Sequence, residues 1–207
     1  AILGHAKIVQ DAISDAELRE SVEIIRAQGD RCHQILKQML RFSRDDSEEI
    51  KSISVREILE SSLMLIKAEA QRTSTKIDLV IPSDELICAR PQQTQQVFLN
   101  LILNSIQAMQ PGGSIEIKSH KQSGFVWIDF KDSGPGISFD HQEHLFEPFF
   151  TTKPKTEGTG LGLSIAQSIM EDQGGDLELI ESRSGCTIFR LHFRLVEALE
   201  LDSAQGY

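Results

Sequence analysis

The chain has 207 residues and carries 21 Lys and Arg against 31 Asp and Glu, which gives a formal net charge of −10. This length corresponds to one or two domains and excludes a miniprotein that depends on covalent or metal staples for stability. The acidic balance, without a basic patch interleaved with aromatic residues, disfavours nucleic acid and anionic membranes as partners.

The three cysteines lie far apart and follow no C-x-x-C spacing, at Cys32, Cys88 and Cys186. This pattern indicates neither a disulfide framework nor a cysteine zinc site, and it favours a reducing compartment. The sequence has no apolar run of the ~20 residues that span a bilayer. It also has no signal-peptide pattern at its start. We therefore expect this portion to be cytoplasmic. Whether the parent protein is anchored in a membrane is left open.

Residues 1–46 show the heptad spacing of packed helices. The residues of this seam are Ile2, Ala6, Val9, Ile13, Leu18, Val22, Ile25, Gly29, Cys32, Leu36 and Met39. Ser14 and Glu17 form an S-x-x-E capping box, which predicts the start of a second helix. We predict an antiparallel helical hairpin that forms a four-helix bundle with a second copy, because two helices alone bury little apolar surface. Docking of the hairpin on its own chain is the alternative.

The remaining sequence predicts a second domain over residues 53–195, after a linker at 47–52 that overlaps the acidic stretch 45–49, and before a loose tail at 196–207. Helices are predicted from the capping box at Ser54 to about 70, from Pro91 to Met109 and from about 161 to 172. Strands are predicted at 76–81, 86–88, 114–118, 125–131, 176–182 and 186–194. This order favours an α+β fold, a two-layer sandwich with a mixed, mostly antiparallel sheet.

A stripe of carboxamides follows one side of the apolar helix that begins at Pro91. Its members are Gln96, Asn100, Asn104 and Gln107, at spacings of four, four and three. A carboxamide oxygen is a hard, neutral donor that suits Mg²⁺. The alternative is that the stripe is a polar face exposed to solvent, or a network in the core whose carboxamides are fully hydrogen-bonded.

Two glycine-containing segments carry the other signals for a ligand. Asp132–Gly136 ends a predicted strand, where a carboxylate can accept a hydrogen bond from an exocyclic amine and the glycines let the backbone pass close to a flat ring. Gly158–Gly162 runs directly into a helix, whose free amides suit a phosphate. An ordinary turn and a flexible hinge are the respective alternatives. Neither a P-loop nor a dinucleotide-binding fingerprint is present in the sequence.

Between these segments, three aromatic residues at Phe146–Phe150 precede the polar stretch Thr151–Glu157. The pattern predicts a loop whose aromatic start is anchored in the protein. Its polar remainder is a mobile cover that excludes water and brings Lys153 toward a phosphate. A surface loop pinned by Phe146 and Phe149 is the alternative.

Together these four segments resemble the N, G1, F and G2 boxes of the histidine-kinase branch of the GHKL ATP-binding superfamily. The resemblance covers about residues 51–194, and the hairpin resembles the dimerisation and histidine-phosphotransfer domain of the same family, with Arg41–Arg44 matching the end of its second helix. It implies the Bergerat-type ATP-binding fold, with ATP and Mg²⁺ as ligands.

The resemblance also implies a role for each matching residue. Asn104 would be the Mg²⁺ ligand, with Asn100 and Gln107 in the same groove, and Asp132 would receive the amino group of adenine. The base pocket would be completed by Gly134, Gly136, Ile137 and Thr187. The phosphates would be held by the cover and the glycine-rich turn, through Thr151, Thr152, Lys153, Gly158, Thr159, Gly160, Leu161, Gly162 and Leu163. Asn104 and Lys153 would be the catalytic residues.

Two departures from the family pattern concern the reaction. Hydrolytic relatives have a catalytic Glu four residues before the metal-binding Asn, and Asn100 occupies that position here. A site without this carboxylate suits transfer of phosphate better than hydrolysis. The phosphoacceptor His of the family begins an H-E-x-x-N-P segment, which His5 lacks. We expect the acceptor to lie upstream of this chain, so that the chain binds ATP without phosphorylating itself.

The expected function is therefore that of a sensor histidine kinase. It would transfer the γ-phosphoryl group of Mg-ATP to a histidine, and then to an aspartate of a response-regulator receiver domain. Two alternatives stay open: a GHKL-type ATPase or Ser/Thr kinase, and a non-catalytic dimeric module that senses nucleotide.

Overall fold

A computed structural model of the protein describes residues 5, 8–10, 15, 18–26, 28–29, 49–122, 124–153 and 158–196. The chain divides into two compact units, one of residues 1–46 and 148–161 and the other of residues 47–147 and 162–207. Across the described ranges, no helix is both long enough and apolar enough to span a membrane. The predicted tail from residue 197 onward and most of the second half of the hairpin lie outside the described residues.

The described part of the larger unit is built from helices and strands in mixed order. The elements are β1 Lys51–Ser54, α1 Val55–Arg72, β2 Lys76–Val80, β3 Leu86–Ala89, α2 Pro91–Ala108, β4 Ser114–Gln122, β5 Phe125–Asp132, α3 Phe139–Gln142, α4 Gly162–Asp172, β6 Asp176–Arg183 and β7 Cys186–Arg194. The predicted helices and strands are present with ends shifted by a few residues at most. Strand β1 and helix α3 were not predicted, and β1 includes the last two residues of the predicted linker.

Five strands form one sheet in the order β2-β4-β5-β7-β6. Strands β2 and β4 pair in parallel, whereas β4 with β5, β5 with β7 and β6 with β7 pair antiparallel. Strands β1 and β3 form a separate antiparallel pair. The α+β class with a mixed, mostly antiparallel sheet is therefore confirmed.

The core lies between one face of this sheet and the helices α1, α2 and α4. Alternate residues of β5 point into it, because successive side chains of a strand face opposite sides. Phe98 of α2 is fully buried there, and its ring centroid lies 5.6 Å from that of Phe130 and 6.2 Å from that of Phe193. This packing fixes α2, which carries the carboxamide stripe, against the ends of β5 and β7.

Helix α1 begins at the predicted capping residue. The Ser54 hydroxyl accepts a hydrogen bond from the backbone N–H of Glu57 at 3.0 Å and donates one to the Asp84 carboxylate at 2.7 Å. Asp84 also accepts the backbone N–H of Arg56 at 3.2 Å. The carboxylate that completes this cap therefore comes from a residue distant in sequence, Asp84.

In the smaller unit, residues 8–10 and 18–26 are helical. The Asp15 carboxylate accepts the backbone N–H of Leu18 at 3.1 Å, so Asp15 is an N-cap one position after the predicted Ser14. Ser14 and Glu17 lie outside the described residues. The side-chain amide of Gln10 donates to Glu23 at 2.8 Å, which joins the two helical segments as a hairpin requires.

Both edges of the five-stranded sheet carry features that oppose pairing with another strand. The register of β6 against β7 shifts between Leu179 and Glu181. At the other edge, β2 has only five residues, and Lys76 and Asp78 form an exposed ion pair at 2.7 Å. The two outer strands therefore differ from the long, flat and apolar edges that recruit further strands.

Candidate functional site

A buried carboxylate, that of Asp132, lies at the end of β5. Its oxygens accept hydrogen bonds from the backbone N–H of Gly134 at 2.8 Å and from the hydroxyl of Ser105 on α2 at 3.1 Å. Thr187, which lies opposite Asp132 on the neighbouring strand β7, also forms a hydrogen bond with this carboxylate. Burial raises the pKa of Asp132 above that of an ordinary aspartate, and these hydrogen bonds oppose the shift.

The turn that follows Asp132 is held close to the hairpin between β6 and β7. Gly185 N–H donates to the Gly134 carbonyl at 2.8 Å, and Ile137 N–H donates to the Ser182 hydroxyl at 2.7 Å. Gly136 has a φ of +80°, and a Cβ there would lie 2.7 Å from the carbonyl carbon of Arg183. Only glycine fits this close approach of two backbones. The structure thus brings together Asp132, Gly134, Gly136, Ile137 and Thr187.

The carboxamide stripe meets the start of α4. The Asn100 side-chain amide donates to the Gly162 carbonyl at 3.0 Å. Asn104 lies one turn further along α2, and a Cβ built on Gly162 would be 3.6 Å from its Nδ2 and 3.8 Å from its Oδ1. Asn100, Asn104 and Gly162 therefore form one group, with Leu163 next to it in α4, whereas Gln107 is exposed at the far end of the stripe.

The cover segment belongs to the smaller unit, and its two described parts contact each other. Phe149 N–H donates to the Gly160 carbonyl at 2.9 Å, and the Thr151 hydroxyl accepts from Lys153 N–H at 3.1 Å. Gly160 has a φ of +69°, and a Cβ there would overlap the backbone of Phe149. This arrangement brings Thr151, Lys153 and Gly158 together, with Thr152, Thr159 and Leu161 beside them. Residues 154–157 lie outside the described residues.

Two functional positions were missed at the level of sequence. Ser105 follows Asn104 directly in an apolar helix, and its residue type alone does not indicate a role. It is nevertheless buried, and its hydroxyl donates a hydrogen bond to Asp132. Ser182 lies 45 positions after Ile137, and nothing local indicates that its hydroxyl holds the turn. Ser105 lies four residues after Leu101 and seven after Phe98, and this helical spacing, which places it on the apolar face of α2, is the one signal that could have found it.

The arrangement has the chemistry of a nucleotide site. A buried carboxylate beside a glycine turn suits an amino group on a flat ring, and adjacent carboxamides at a helix N-terminus suit a hydrated cation and phosphate. Asn100 donates its amide hydrogen to a carbonyl and offers no carboxylate, so it is not a base that could activate water.

Comparison with known proteins places the chain in a family. Residues 89–197 match the family described as "Histidine kinase-, DNA gyrase B-, and HSP90-like ATPase", and residues 1–48 match the "His Kinase A (phospho-acceptor) domain". The first match covers more than half of the chain. The chain belongs to the family of histidine kinase-, DNA gyrase B- and HSP90-like ATPases, and that family description implies ATP binding.

Several curated relatives are sensor kinases. The chain is 31% identical over 183 residues to the signal transduction histidine-protein kinase AtoS of Escherichia coli, covering 86% of this chain and 29% of AtoS. It is 34% identical over 185 residues to the sensor histidine kinase ZraS of Salmonella typhimurium, covering 86% of this chain and 39% of ZraS. The chain thus spans less than half the length of these relatives.

Solved histidine kinases share the fold. The catalytic domain of histidine kinase ThkA matches with a TM-score of 0.65 and 31% identity, over 71% of this chain and 96% of that domain. ThkA in complex with the response regulator protein TrrA matches with a TM-score of 0.73 and 26% identity, over 95% of this chain and 57% of that one. The likeness thus extends beyond the catalytic domain.

Proposed function

We propose that this chain is the ATP-binding and phosphotransfer part of a sensor histidine kinase. It binds Mg-ATP, the γ-phosphoryl group passes to a histidine, and from there to an aspartate of a response regulator. The observation that carries the proposal is that consecutive residues of α2 reach both halves of a nucleotide site: Asn104 lies beside Gly162, and Ser105 donates to Asp132.

Asp132 accepts the exocyclic amino group of adenine. Hydrogen bonds from Gly134, Ser105 and Thr187 hold the carboxylate in place, so little rearrangement is needed when the base arrives. Gly134, Gly136 and Ile137 line the base, because the positive φ of Gly136 keeps this turn against Arg183. A guanine would present a carbonyl oxygen to the same carboxylate, so the site selects adenine.

Asn104 is the residue that would hold Mg²⁺. Its carboxamide is adjacent to the start of α4, and a single protein oxygen is enough for an ion that keeps waters and phosphate oxygens as its other ligands. When bound, Mg²⁺ neutralises charge on the phosphate oxygens during transfer. Asn100 and Gln107 flank this position on α2, and Asn100 is held by Gly162.

The N-terminal amides of α4 suit a phosphate, and the family pattern assigns the cover to the same ligand. Gly162 and Leu163 lie at the start of α4, and the pattern adds Gly158, Thr159, Gly160 and Leu161. Thr151 and Thr152 add hydroxyl donors, and Lys153 adds a positive charge. Because Asn100 cannot take a proton from water, the bound γ-phosphoryl group is kept for transfer.

The partners are a second copy of the chain and a receiver domain. Ile8, Leu18 and Ile25 are more than half exposed in the single chain, which suits a hairpin that forms a four-helix bundle in a homodimer. The phospho-acceptor match and the ThkA complex with a response regulator support the receiver domain as the second partner.

The proposed function is tested by adding an acceptor segment. A helical segment with the pattern H-E-x-x-N-P is joined in register to Ala1, and the chimera is incubated with Mg²⁺ and γ-labelled ATP. We expect label that is stable to alkali and lost in acid, which is the behaviour of phosphohistidine, and transfer of this label to an added receiver domain.

The unextended chain is the control for this experiment, and we expect it to bind ATP without becoming labelled. Label that disappears in His5→Ala would show that the acceptor has been placed wrongly. Release of inorganic phosphate without phosphohistidine would instead identify an ATPase. A chain without affinity for ATP would contradict the proposal and leave a dimeric signalling module.

Replacing Asp132 by asparagine should weaken ATP binding about 10- to 100-fold, because a hydrogen bond to a charged group contributes about 1.5–3 kcal/mol. The pKa of Asp132 is raised, so acidification from about pH 7.5 to about pH 5 protonates part of it. Protonation removes an acceptor, and ATP affinity of the unmodified chain therefore falls as pH falls. Calorimetric titration at both pH values measures these changes.

Asp140→Asn is the matched control, because Asp140 is an exposed aspartate on α3. Its ATP affinity and pH dependence should equal those of the unmodified chain. The assignment of Asp132 is wrong if Asp132→Asn binds ATP normally, or if it keeps the full loss of affinity at low pH.

A further inference from the structure

The outer face of the five-stranded sheet, opposite the helices, carries two rows of polar and aromatic side chains in register across four strands. One row runs His120, Trp127, His192, Asp176, and the next runs Lys118, Asp129, Arg190, Glu178. Residues two apart on a strand share a face, so Asp176 and Glu178 lie side by side along β6. The nucleotide site described above uses none of these residues.

His192 is held in a defined orientation on this face. Its ring stacks on Trp127 with centroids 4.9 Å apart and planes inclined by 12°. Its Nε2 atom is buried from solvent and has no hydrogen-bond partner, although Oε2 of Glu178 lies 3.7 Å away. A buried nitrogen without a partner is uncommon and calls for an explanation. A ligand that accepts the nitrogen lone pair would supply one.

Two carboxylates surround that nitrogen. One atom each of Asp176, Glu178 and His192 all lie within 4.8 Å of one another, and this is the one such group of three among the residues that the structure describes. We propose that Asp176, Glu178 and His192 form a binding site for a divalent transition-metal ion, with Zn²⁺ as the fitting ion. Imidazole nitrogen and carboxylate oxygens are ligands that Zn²⁺ prefers, whereas Mg²⁺ prefers oxygen alone.

The three ligand atoms lie within 4.8 Å of one another, so rotation of the two carboxylate side chains can bring them to the spacing that a zinc ion needs. Ligand atoms about 2.0–2.1 Å from a tetrahedral Zn²⁺ lie about 3.3 Å from one another. The observed 3.7 Å between Nε2 of His192 and Oε2 of Glu178 needs a shift of a few tenths of an ångström. The side chain of Glu178 is 46% exposed, so it is free to rotate toward the ion.

The surrounding charges also permit a cation. Two arginines flank His192 on the same face of β7, Arg190 and Arg194, and the guanidinium of Arg190 donates two hydrogen bonds to Asp129 at 2.6 and 2.8 Å. Its charge is therefore balanced by Asp129. The two carboxylates of Asp176 and Glu178 then outnumber the one remaining cation, Arg194, so the site keeps a negative charge that favours a divalent ion.

A bound ion would join the edge strand β6 to β7 through side chains as well as through the backbone. Three protein ligands leave a fourth position for water or for a group from another molecule. Thr187 and His192 are five positions apart on β7, a separation of about 17 Å along a strand. The metal site is therefore separate from the carboxylate that receives adenine.

The test titrates the whole chain, without ATP, with ZnCl₂ by calorimetry and with CoCl₂ by visible absorption. We expect saturable binding that His192→Gln and Glu178→Gln each weaken by at least about 10-fold. His120→Gln is the matched control. The ring of His120 also contacts Trp127, with centroids 5.4 Å apart, but it belongs to β4 and is not one of the three ligands, so its substitution should leave the zinc affinity unchanged. The Co²⁺ spectrum should lack the charge-transfer band of a thiolate, since no cysteine is a ligand.

Unchanged zinc affinity in both His192→Gln and Glu178→Gln would overturn the proposal. An equal loss in His120→Gln, or a thiolate band from Cys88 or Cys186, would overturn it as well. Glu178 is exposed enough for its substitution to leave the fold intact, so the test remains decisive if His192→Gln does not fold. MgCl₂ should produce no heat at this site, which distinguishes it from a site of oxygen ligands.

Discussion

Replacing Asn104 by alanine is expected to abolish the Mg²⁺ dependence of ATP binding and to slow transfer to histidine by at least about 100-fold. A metal ion on the transferring phosphate contributes several kcal/mol to stabilisation of the transition state, and each 1.36 kcal/mol changes the rate tenfold. Asn104 is the one residue of the group at Gly162 to which we assign the ion. Calorimetry with and without Mg²⁺, and labelling of the extended chimera, measure the two effects.

Two further variants make this result specific. Gln95→Ala removes a carboxamide from the same helix, but one that donates to Ser61 of α1 at 2.9 Å, and it should behave as the unmodified chain. Asn104→Asp retains an oxygen ligand and should retain Mg²⁺-dependent binding. If Asn104→Ala still binds ATP in a Mg²⁺-dependent way, the ion is held elsewhere.

Replacing Phe98 by alanine is expected to lower the free energy of unfolding of the larger unit by about 3–5 kcal/mol. Phe98 is fully buried, and its ring contacts Phe130 and Phe193 on two different strands. The lost ring leaves a cavity where α2 meets the sheet. Since domains are stable by only about 5–15 kcal/mol, the variant should unfold at a much lower urea concentration.

Urea titration followed by the fluorescence of Trp127 measures this change, because Trp127 is the single tryptophan and lies on β5. Phe139→Ala is the matched control, since Phe139 is 76% exposed and its loss should change stability by less than about 0.5 kcal/mol. Equal midpoints for Phe98→Ala and the unmodified chain would contradict the packing described for α2.

Features set by short stretches of sequence were predictable. Helix α2 combines a proline at its first turn with a continuous apolar face, and the strands β4 and β5 alternate buried and exposed residues. Both patterns depend on residues that are close in sequence, so the secondary structure that they predict does not depend on contacts between distant parts of the chain. The place of Asp132 at the end of a strand was also predicted, whereas its burial was not.

Features set by contacts between distant residues were not predictable. The parallel pairing of β2 with β4, and the hydrogen bond from Ser105 to Asp132, depend on how the helices cross the sheet. Two adjacent residues, Ser14 and Asp15, are both good N-caps, and the S-x-x-E pattern favoured Ser14 whereas the structure has Asp15 as an N-cap. Asp176 and His192 share no short motif, and only the register of β6 against β7 makes them neighbours.

The irregular edges of the sheet have a consequence for the protein at high concentration. The homodimer that we propose brings two copies together and must do so without letting their sheets polymerise. The shifted register of β6 and the short, charged β2 deny an incoming strand a continuous ladder of hydrogen bonds. In the proposed homodimer, contacts between copies are therefore expected at the exposed apolar residues of the hairpin and not at the sheet edges, which gives a closed dimer and not an open chain of subunits.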